Sequence, residues 1–421
     1  MVIADVTSFF SDSCGGIKTY YREKARWLPR LGIRCHFVVP GRRTTAQKFA
    51  GGTLHTVAGP PLNRHYRVFG DLAELGRVLR ELAPDIIEIG SHYVLPDLVV
   101  RAVRDIRPQP RIIGFYHSDF PATYVEPALA NFPRVQQAAV SAAWHLVRRQ
   151  HARYDATLVA SSYIADKLVS AQIPRVRWVG LGVDSEQFRP RGPRGDTHGI
   201  AGNTHSAWRG GRSKKAPLLV YSGRLSNDKQ FDVLLAAYDH IYARAGARLL
   251  IVGDGPLMSD ARLFAAVRPQ VTLCGYLDNS EQVARLLARA DAVIAPGPYE
   301  TFSLTAAESL ACGTPVIAAD HGGNAELVTR SGGGVTFPSG NANALARQVI
   351  DIVTAPAQRR ARMGDDGRRY VVENLTWRRV FARIYRVYGE VLGRGSVPFP
   401  GDTYPGKVDP ARRRRGIEKG A

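Results

Sequence analysis

The sequence predicts an α/β protein built as two doubly wound, parallel-sheet domains facing a central cleft. Three observations carry that prediction. Short apolar runs alternate with amphipathic Ala/Arg-rich stretches along most of the chain, the pattern of β-α-β units. The series breaks once, between residues 186 and 216, and then resumes. The 421 residues, 45% hydrophobic and 22% charged, suffice for two or three packed domains at roughly 150 residues each.

In the first domain, residues 1–185, strands are expected at Val2-Ile3-Ala4 and in residues 34–39, 85–89, 111–115 and 156–160. Helices fall between them near 17–30, 71–82, 95–106, 134–153 and 162–171. The second domain, residues 186–376, carries strands near 218–221, 248–252, 271–273, 292–295 and 315–318. Its helices are expected near 230–245, 257–267, 280–289 and 304–311. Residues 191–216, rich in Gly, Arg, Lys and Ser, read as a basic surface insertion. The Pro-containing end, 394–421, with Arg412 to Arg415 in a row, reads as a disordered basic tail.

The net charge of +20 is unevenly spread: +9 over residues 1–190, +5 over 191–216, −1 over 217–376 and +7 over 377–421. A neutral block inside a basic frame favours an anionic partner, whether lipid headgroups, an acidic substrate or nucleic acid. A basic nucleic-acid-binding protein is the non-enzyme alternative. No C2H2, RRM or KH motif supports it, so no nucleic acid is expected as partner. The four cysteines lie far apart without a C-x-x-C pair, which argues against a zinc site and a disulfide framework. No apolar run reaches the roughly 18 residues of a membrane span, and the first residues lack a basic leader. A cytoplasmic enzyme is the resulting expectation.

Strand ends are where open α/β sheets bind ligands. The most informative such segment is Pro298-Tyr299-Glu300-Thr301-Phe302-Ser303-Leu304, running into a helix with Glu308 one turn inside and Gly313 placed to stop it. Free N–H groups at that helix start, near Ser303 and Leu304, suit a phosphate, and two carboxylates suit sugar or ribose hydroxyls. The segment Tyr221-Ser222-Gly223-Arg224-Leu225-Ser226-Asn227-Asp228-Lys229 sets two cations five residues apart after a strand, able to grip a diphosphate. No D-x-D pair occurs to hold a bridging metal, so no metal and no cofactor is expected, and the cations take over its electrostatic task. Gly15-Gly16 after the first strand permits close backbone approach. At the polar end of the strand over 111–115, His117 can hydrogen-bond a substrate hydroxyl, and Asp119 can accept from an incoming acceptor hydroxyl or orient the loop.

Taken together these segments resemble glycosyltransferase family 4, the retaining, nucleotide-sugar-dependent enzymes of GT-B fold with two Rossmann-like domains. The resemblance spans roughly residues 1–392. It rests on Glu300 and Glu308 as the family's E-x7-E signature, with Gly15-Gly16, His117, Gly182-Val183-Asp184, Gly223-Arg224, Lys229, Val252-Gly253-Asp254-Gly255-Pro256 and Gly322-Gly323-Asn324-Ala325-Glu326 in support. Residues 377–393 resemble the family's terminal helix, which crosses back onto the first domain.

The resemblance implies roles. Arg224 and Lys229 bind the donor diphosphate with Gly16, Gly223 and the backbone around Thr301, Phe302, Ser303 and Leu304. Glu308 binds the ribose, Glu300 a hydroxyl of the transferred sugar, and His117 faces that sugar. Gly275 and Tyr276 lie near the base, and the leaving phosphate serves as the base of a same-face attack. The expected reaction moves a hexose, best mannose from GDP-mannose by likeness around His117-Ser118-Asp119-Phe120-Pro121, to a lipid or glycan hydroxyl. The helix over 134–153, with Arg134, Arg148, Arg149 and Arg153 beside Val135, Trp144 and Leu146, suits an anionic membrane surface, placing the enzyme at the inner face of the cytoplasmic membrane. A UDP-glucose-type transferase acting on a soluble anionic sugar is the alternative.

Overall fold

The computed structural model describes residues 1–10, 15–62, 66–191 and 216–395. The body of the expected insertion, 192–215, and the tail from 396 onward lie outside them.

Two sheets organise the chain. The first contains β1 (Val2–Val6), β2 (Arg34–Gly41), β3 (Thr45–Phe49), β4 (Gly52–Ala58), β5 (Ile86–Ile89), β6 (Arg111–Phe115), β7 (Ala156–Val159) and β8 (Val176–Trp178), in the order β3-β4-β2-β1-β5-β6-β7-β8. All neighbours are parallel except β3, which returns antiparallel on β4. The second contains β9 (Leu218–Ser222), β10 (Arg248–Val252), β11 (Val271–Gly275), β12 (Ala292–Ala295), β13 (Val316–Ala319) and β14 (Gly334–Phe337), all parallel, in the order β11-β10-β9-β12-β13-β14. Every residue of β1, β5, β7 and β13 is buried, because helices cover both faces of a parallel sheet. That burial explains why these strands read as mainly apolar runs, with Asp5, Glu88 and Thr157 as buried polar exceptions.

The structure shortens some expected helices and adds elements. The first helix is Gly15–Trp27, since Pro29 sits in a separate tight turn, Leu28–Leu31, closed by Gly32 in the left-handed region. The third ends at Ala102 rather than near 106. Helices Gly322–Ser331, Ala342–Thr354 and Ala357–Asn374 and strands β3, β4, β8 and β14 were not expected. The last of those helices packs on Leu304–Ala311 and Gly322–Ser331 largely through small residues, burying only Gly364, Gly367 and Val371.

The chain crosses between the lobes at Val183 and returns beside itself at Thr376, where the Val183 amide donates to the Leu375 carbonyl at 2.7 Å. Helix Trp377–Val391 then lies on the first lobe, with Phe381 stacked on Tyr20 at 6.0 Å. Beneath it is a fully buried polar cluster. The Tyr388 and Tyr20 hydroxyls donate to Glu88 at 2.6 and 2.8 Å, and the Lys24 ammonium meets Asp5 at 2.6 Å and Glu88 at 3.0 Å. Burial holds the Asp5 carboxyl well above the usual carboxylate range. Glu88 suffers the same desolvation, yet the Lys24 charge and the Tyr388 hydroxyl hold it below its ordinary value.

Candidate active site

The carboxyl ends of the two sheets meet. On the second lobe, the loop after β9 presents Arg224 and the short turn Asn227–Lys229 presents Lys229. Arg224 pairs with Asp228 at 3.0 Å and lies beside the Tyr124 phenol of the other lobe. Lys229 pairs with Glu300 at 2.6 Å, with Asp228 farther off at 3.9 Å. Desolvation disfavours the Lys229 ammonium, but the Glu300 and Asp228 charges outweigh it and hold its pKa above the ordinary lysine value.

Glu300 and Thr301 lie between β12 and helix Leu304–Ala311, with Ser303 as N-cap. Ser303 has φ +77°, a left-handed conformation costly for a residue with a side chain, and its hydroxyl accepts from the Ala306 amide at 3.4 Å. The loop is held in place by Gly322 and Gly323, which let backbone approach backbone. A Cβ on Gly323 would stand 2.6 Å from Phe302 backbone, and the Gly323 amide donates to the Glu300 carbonyl at 2.6 Å. Phe302 itself is buried. Glu308 lies inside the helix, its carbonyl accepting from the Cys312 amide at 3.0 Å, and burial pushes its carboxyl up to about 8.

From the first lobe, Gly16 faces that helix start: a Cβ on it would meet Leu304 Cδ1 at 3.5 Å, an ordinary contact, and Gly15 meets nothing. Protein packing therefore does not demand either glycine. His117 follows β6, its ring stacked on Phe115 at 4.0 Å and met edge-on by Tyr20 at 5.5 Å. Burial pushes it down to about 3, so the imidazole is neutral at ordinary pH, and its Nε2 has no hydrogen-bond partner among the described residues. The Thr301 hydroxyl donates to the His117 carbonyl at 2.8 Å, joining the lobes at the site.

The structure thus brings Arg224, Lys229, Glu300, Thr301 and His117 to one seam, with Gly16 against Leu304. Asp119 is set off from that seam: buried, it pairs with Lys167, accepts weakly from the Tyr116 hydroxyl at 3.3 Å and shares a cavity lining with Glu300. Gly275 closes β11 with φ +69°, its carbonyl accepting from Gly253, while Tyr276 beyond it is 52% exposed. Gly223 lies against Gly253, whose Cβ would fall 1.8 Å from the Gly223 carbonyl oxygen.

Sequence reading named Thr301, His117 and Glu326 but gave none of them a role in connecting the lobes. The Glu326 carboxylate of the second lobe accepts from the Ser162 amide at 3.0 Å, the Ser162 hydroxyl at 2.7 Å and the Tyr163 amide at 2.6 Å, at the start of helix Ser162–Ser170. Arg330 reaches both Ser162 and Glu326. Tyr124 and Lys167 were missed. No local signal marks them, since each acts on a residue distant in sequence. Among the described residues, no group of three or more His, Cys, Asp or Glu side chains is placed to hold a metal ion.

Comparison with known proteins gives this site its context. Residues 14–187 match the Glycosyltransferase Family 4 model and residues 204–370 the Glycosyl transferases group 1 model. A GDP-mannose-dependent alpha-mannosyltransferase of Mycolicibacterium smegmatis is 32% identical over 324 residues, 76% of this chain and 77% of that protein. A GDP-mannose-dependent alpha-(1-6)-phosphatidylinositol dimannoside mannosyltransferase of Mycobacterium tuberculosis is 28% identical over 396 residues, 92% of this chain and 96% of that one. The solved sucrose-phosphate synthase of Thermosynechococcus elongatus shares the fold, with a TM-score of 0.75 at 19% identity over 94% of this chain and 100% of that one. Two parallel-sheet lobes, a strand-end cation pair facing an E-x7-E helix, and these matches lead to one assignment: the chain belongs to the glycosyltransferases with a family 4 amino-terminal and a group 1 carboxy-terminal domain, and is a GT-B transferase using a nucleotide sugar.

Proposed function

We propose that the enzyme transfers mannose from GDP-mannose, with retention of configuration, to a hydroxyl of a lipid or glycan acceptor at the inner face of the cytoplasmic membrane. The observation that carries this is the Lys229–Glu300 pair at 2.6 Å, which sets a phosphate cation beside a sugar-hydroxyl acceptor at the seam of the lobes. Arg224, Lys229 and the first-turn amides of helix Leu304–Ala311 neutralise the departing diphosphate, a task that needs no divalent ion. Gly15 and Gly16 leave room for that group against the first lobe, and Gly223 and Phe302 shape the loops that hold it. Glu308, neutral at pH 7, offers the ribose a donor as well as an acceptor. Gly275 and Tyr276 border the base. Glu300 accepts from a hydroxyl of the hexose, and the His117 Nε2, unpartnered among the described residues, bonds another. The bond from the anomeric carbon to the bridging phosphate oxygen breaks, its electron pair leaving with the nucleoside diphosphate, as the acceptor oxygen bonds that carbon on the same face and the acceptor proton passes to the leaving phosphate.

The donor follows the printed specificity of the mannosyltransferase relatives. Membrane attachment rests on the first lobe's surface. Val94, Leu98 and Leu146 join Arg101, Arg149 and Arg153 around a groove of about 620 Å³ beside helix Pro133–His151. Arg149 and Arg153 both pair with Asp97, at 2.9 and 2.6 Å, so part of that charge is internally spent. Among the described residues no helix is long and apolar enough to cross a membrane.

Arg224→Ala, Lys229→Ala and Glu300→Ala are each expected to abolish transfer with the fold kept. Titration calorimetry should give tighter binding of GDP than UDP, EDTA should leave turnover intact, and sedimentation should favour anionic over neutral vesicles. Tighter UDP binding assigns a UDP-hexose donor instead, and wild-type rates in all three variants refute the site.

A further inference from the structure

We infer that the cavity beyond Glu300 receives the acceptor as an uncharged, polyhydroxylated ring, selected by Asp119, Glu126, Tyr163 and Lys167. The inference rests on the donor site proposed above and adds the acceptor's chemistry. The cavity, about 280 Å³, opens where the segments after β6 and β7 face the loop after β12; Tyr299 and Glu300 form its opposite wall.

Its place in the sheet order sets its use. The base-side loop at Gly275 ends β11, the phosphate cations follow β9, and Glu300 follows β12. The cavity continues in the same direction, touching His321 after β13 and Ser339 after β14. It therefore lies across Glu300 from the nucleotide. Glu300 binds Lys229 on one side and lines the cavity on the other, so the bond between diphosphate and hexose falls at the cavity's entrance.

Its lining selects against charge. Three carboxylates line it, Asp119, Glu126 and Glu300; Lys229 neutralises Glu300 from outside the lining, so Glu126 is left without a cation among the described residues, and the lining's own ammonium is Lys167. That ammonium is already paired with Asp119 and sits 5.7 Å over the Trp144 ring. His321 is drawn to Asp320 at 2.6 Å. The remaining hydrogen-bonding capacity is therefore mainly carboxylate oxygen and phenol hydroxyl. Sugar hydroxyls donate to the first and exchange bonds with the second, whereas a phosphate ester would bring two further negative charges among carboxylates. Tyr163 and Tyr299 supply apolar ring faces for the C–H side of a pyranose.

The test uses the full chain with GDP-mannose, following transfer to methyl α-mannoside and to mannose 6-phosphate, together with donor hydrolysis in the absence of acceptor. The neutral glycoside is expected to have a kcat/KM at least about tenfold above that of the phosphate ester, as a buried charge mismatch requires. Glu126→Gln and Tyr163→Phe, checked for wild-type melting, are each expected to raise the glycoside KM and lower the ratio of transfer to hydrolysis. Glu126→Lys is expected to narrow the preference against the phosphate ester. Preference for mannose 6-phosphate, no transfer to the glycoside, or an unchanged acceptor KM in both conservative variants overturns the inference. A rise confined to the donor KM also overturns it, by assigning the cavity to the donor's own hexose. Absence of donor hydrolysis and of GDP binding in the wild-type protein defeats the donor reading itself, a failure distinct from the others.

Discussion

Replacing Glu326 by alanine should loosen the joint between the lobes. Its carboxylate takes three bonds from the start of helix Ser162–Ser170, two of them from backbone amides that the helix itself leaves free. A hydrogen bond to a charged group contributes about 1.5–3 kcal/mol net, with the low end fitting a carboxylate 13% exposed and shared with a 41% exposed Arg330. Counting only the two amide bonds at that low end gives about 3 kcal/mol for holding the lobes in this orientation. At 1.4 kcal/mol per decade this is a shift of about 100-fold in the docking equilibrium. A donor held by residues of both lobes binds only the docked fraction, so its KM should rise by about 10- to 100-fold. The assays are donor KM, titration calorimetry with GDP, and small-angle scattering for the radius of gyration. Ser162→Ala, which removes one of the three bonds, should produce a smaller rise. If Glu326→Ala left donor KM within about twofold of wild type and the radius of gyration unchanged, the docking argument would be refuted.

Acid should destabilise the first lobe. Burial pushes His92 down to about 4 and His151 to about 3, against about 6.5 in an unfolded chain. Depressed folded values mean that this stability is complete above pH 6.5 and is lost as pH falls toward 3–4; at pH 5 each histidine opposes folding by up to about 2 kcal/mol. Urea unfolding at pH 7.5 and pH 5 checks this, and equal stabilities would contradict it. Gly182→Ala should lower the melting temperature, because a Cβ there falls 2.3 Å from Trp377 Cδ2 and 2.8 Å from the Trp377 Cα, an overpacking that costs about 1–3 kcal/mol. Differential scanning calorimetry measures it, and an unaltered transition would mean that the crossing relaxes freely.

The legible part of the molecule was the part governed by local pattern. β1 and β7 show themselves because both faces are covered, so their residues are mainly apolar, Asp5 being admitted by its buried partner Lys24. The edge strand β3 escapes notice because four of its five residues are exposed and impose no period. Helix Ala357–Asn374 escapes for a related reason: it packs through Gly364 and Gly367 against small neighbours, so no apolar stripe announces it. The same division holds at the site. Arg224, Lys229, Glu300 and Glu308 sit in short motifs at strand and helix ends, where spacing alone carries chemical meaning. Thr301 with His117, Glu326 with Ser162 and Lys167 with Asp119 are pairs separated by 184, 164 and 48 positions. Only the packing of one lobe on the other, or of distant segments within a lobe, creates them.

The cluster of Lys24, Asp5, Glu88, Tyr20 and Tyr388 dictates an order of assembly. Lys24, Asp5 and Glu88 are sealed from water with the Tyr388 hydroxyl as one of Glu88's donors, and a helix slipped by one turn would leave that carboxylate short of a partner at a cost of about 1–3 kcal/mol or more. The half of the chain that leaves the ribosome first thus stays unfinished until its final helix arrives, after the whole second lobe has been made. A fragment ending at the lobe boundary would lack Phe381 and Tyr388, uncovering the Tyr20 ring and leaving Glu88 short of a hydroxyl donor, so the amino-terminal lobe is expected to be less stable when expressed alone.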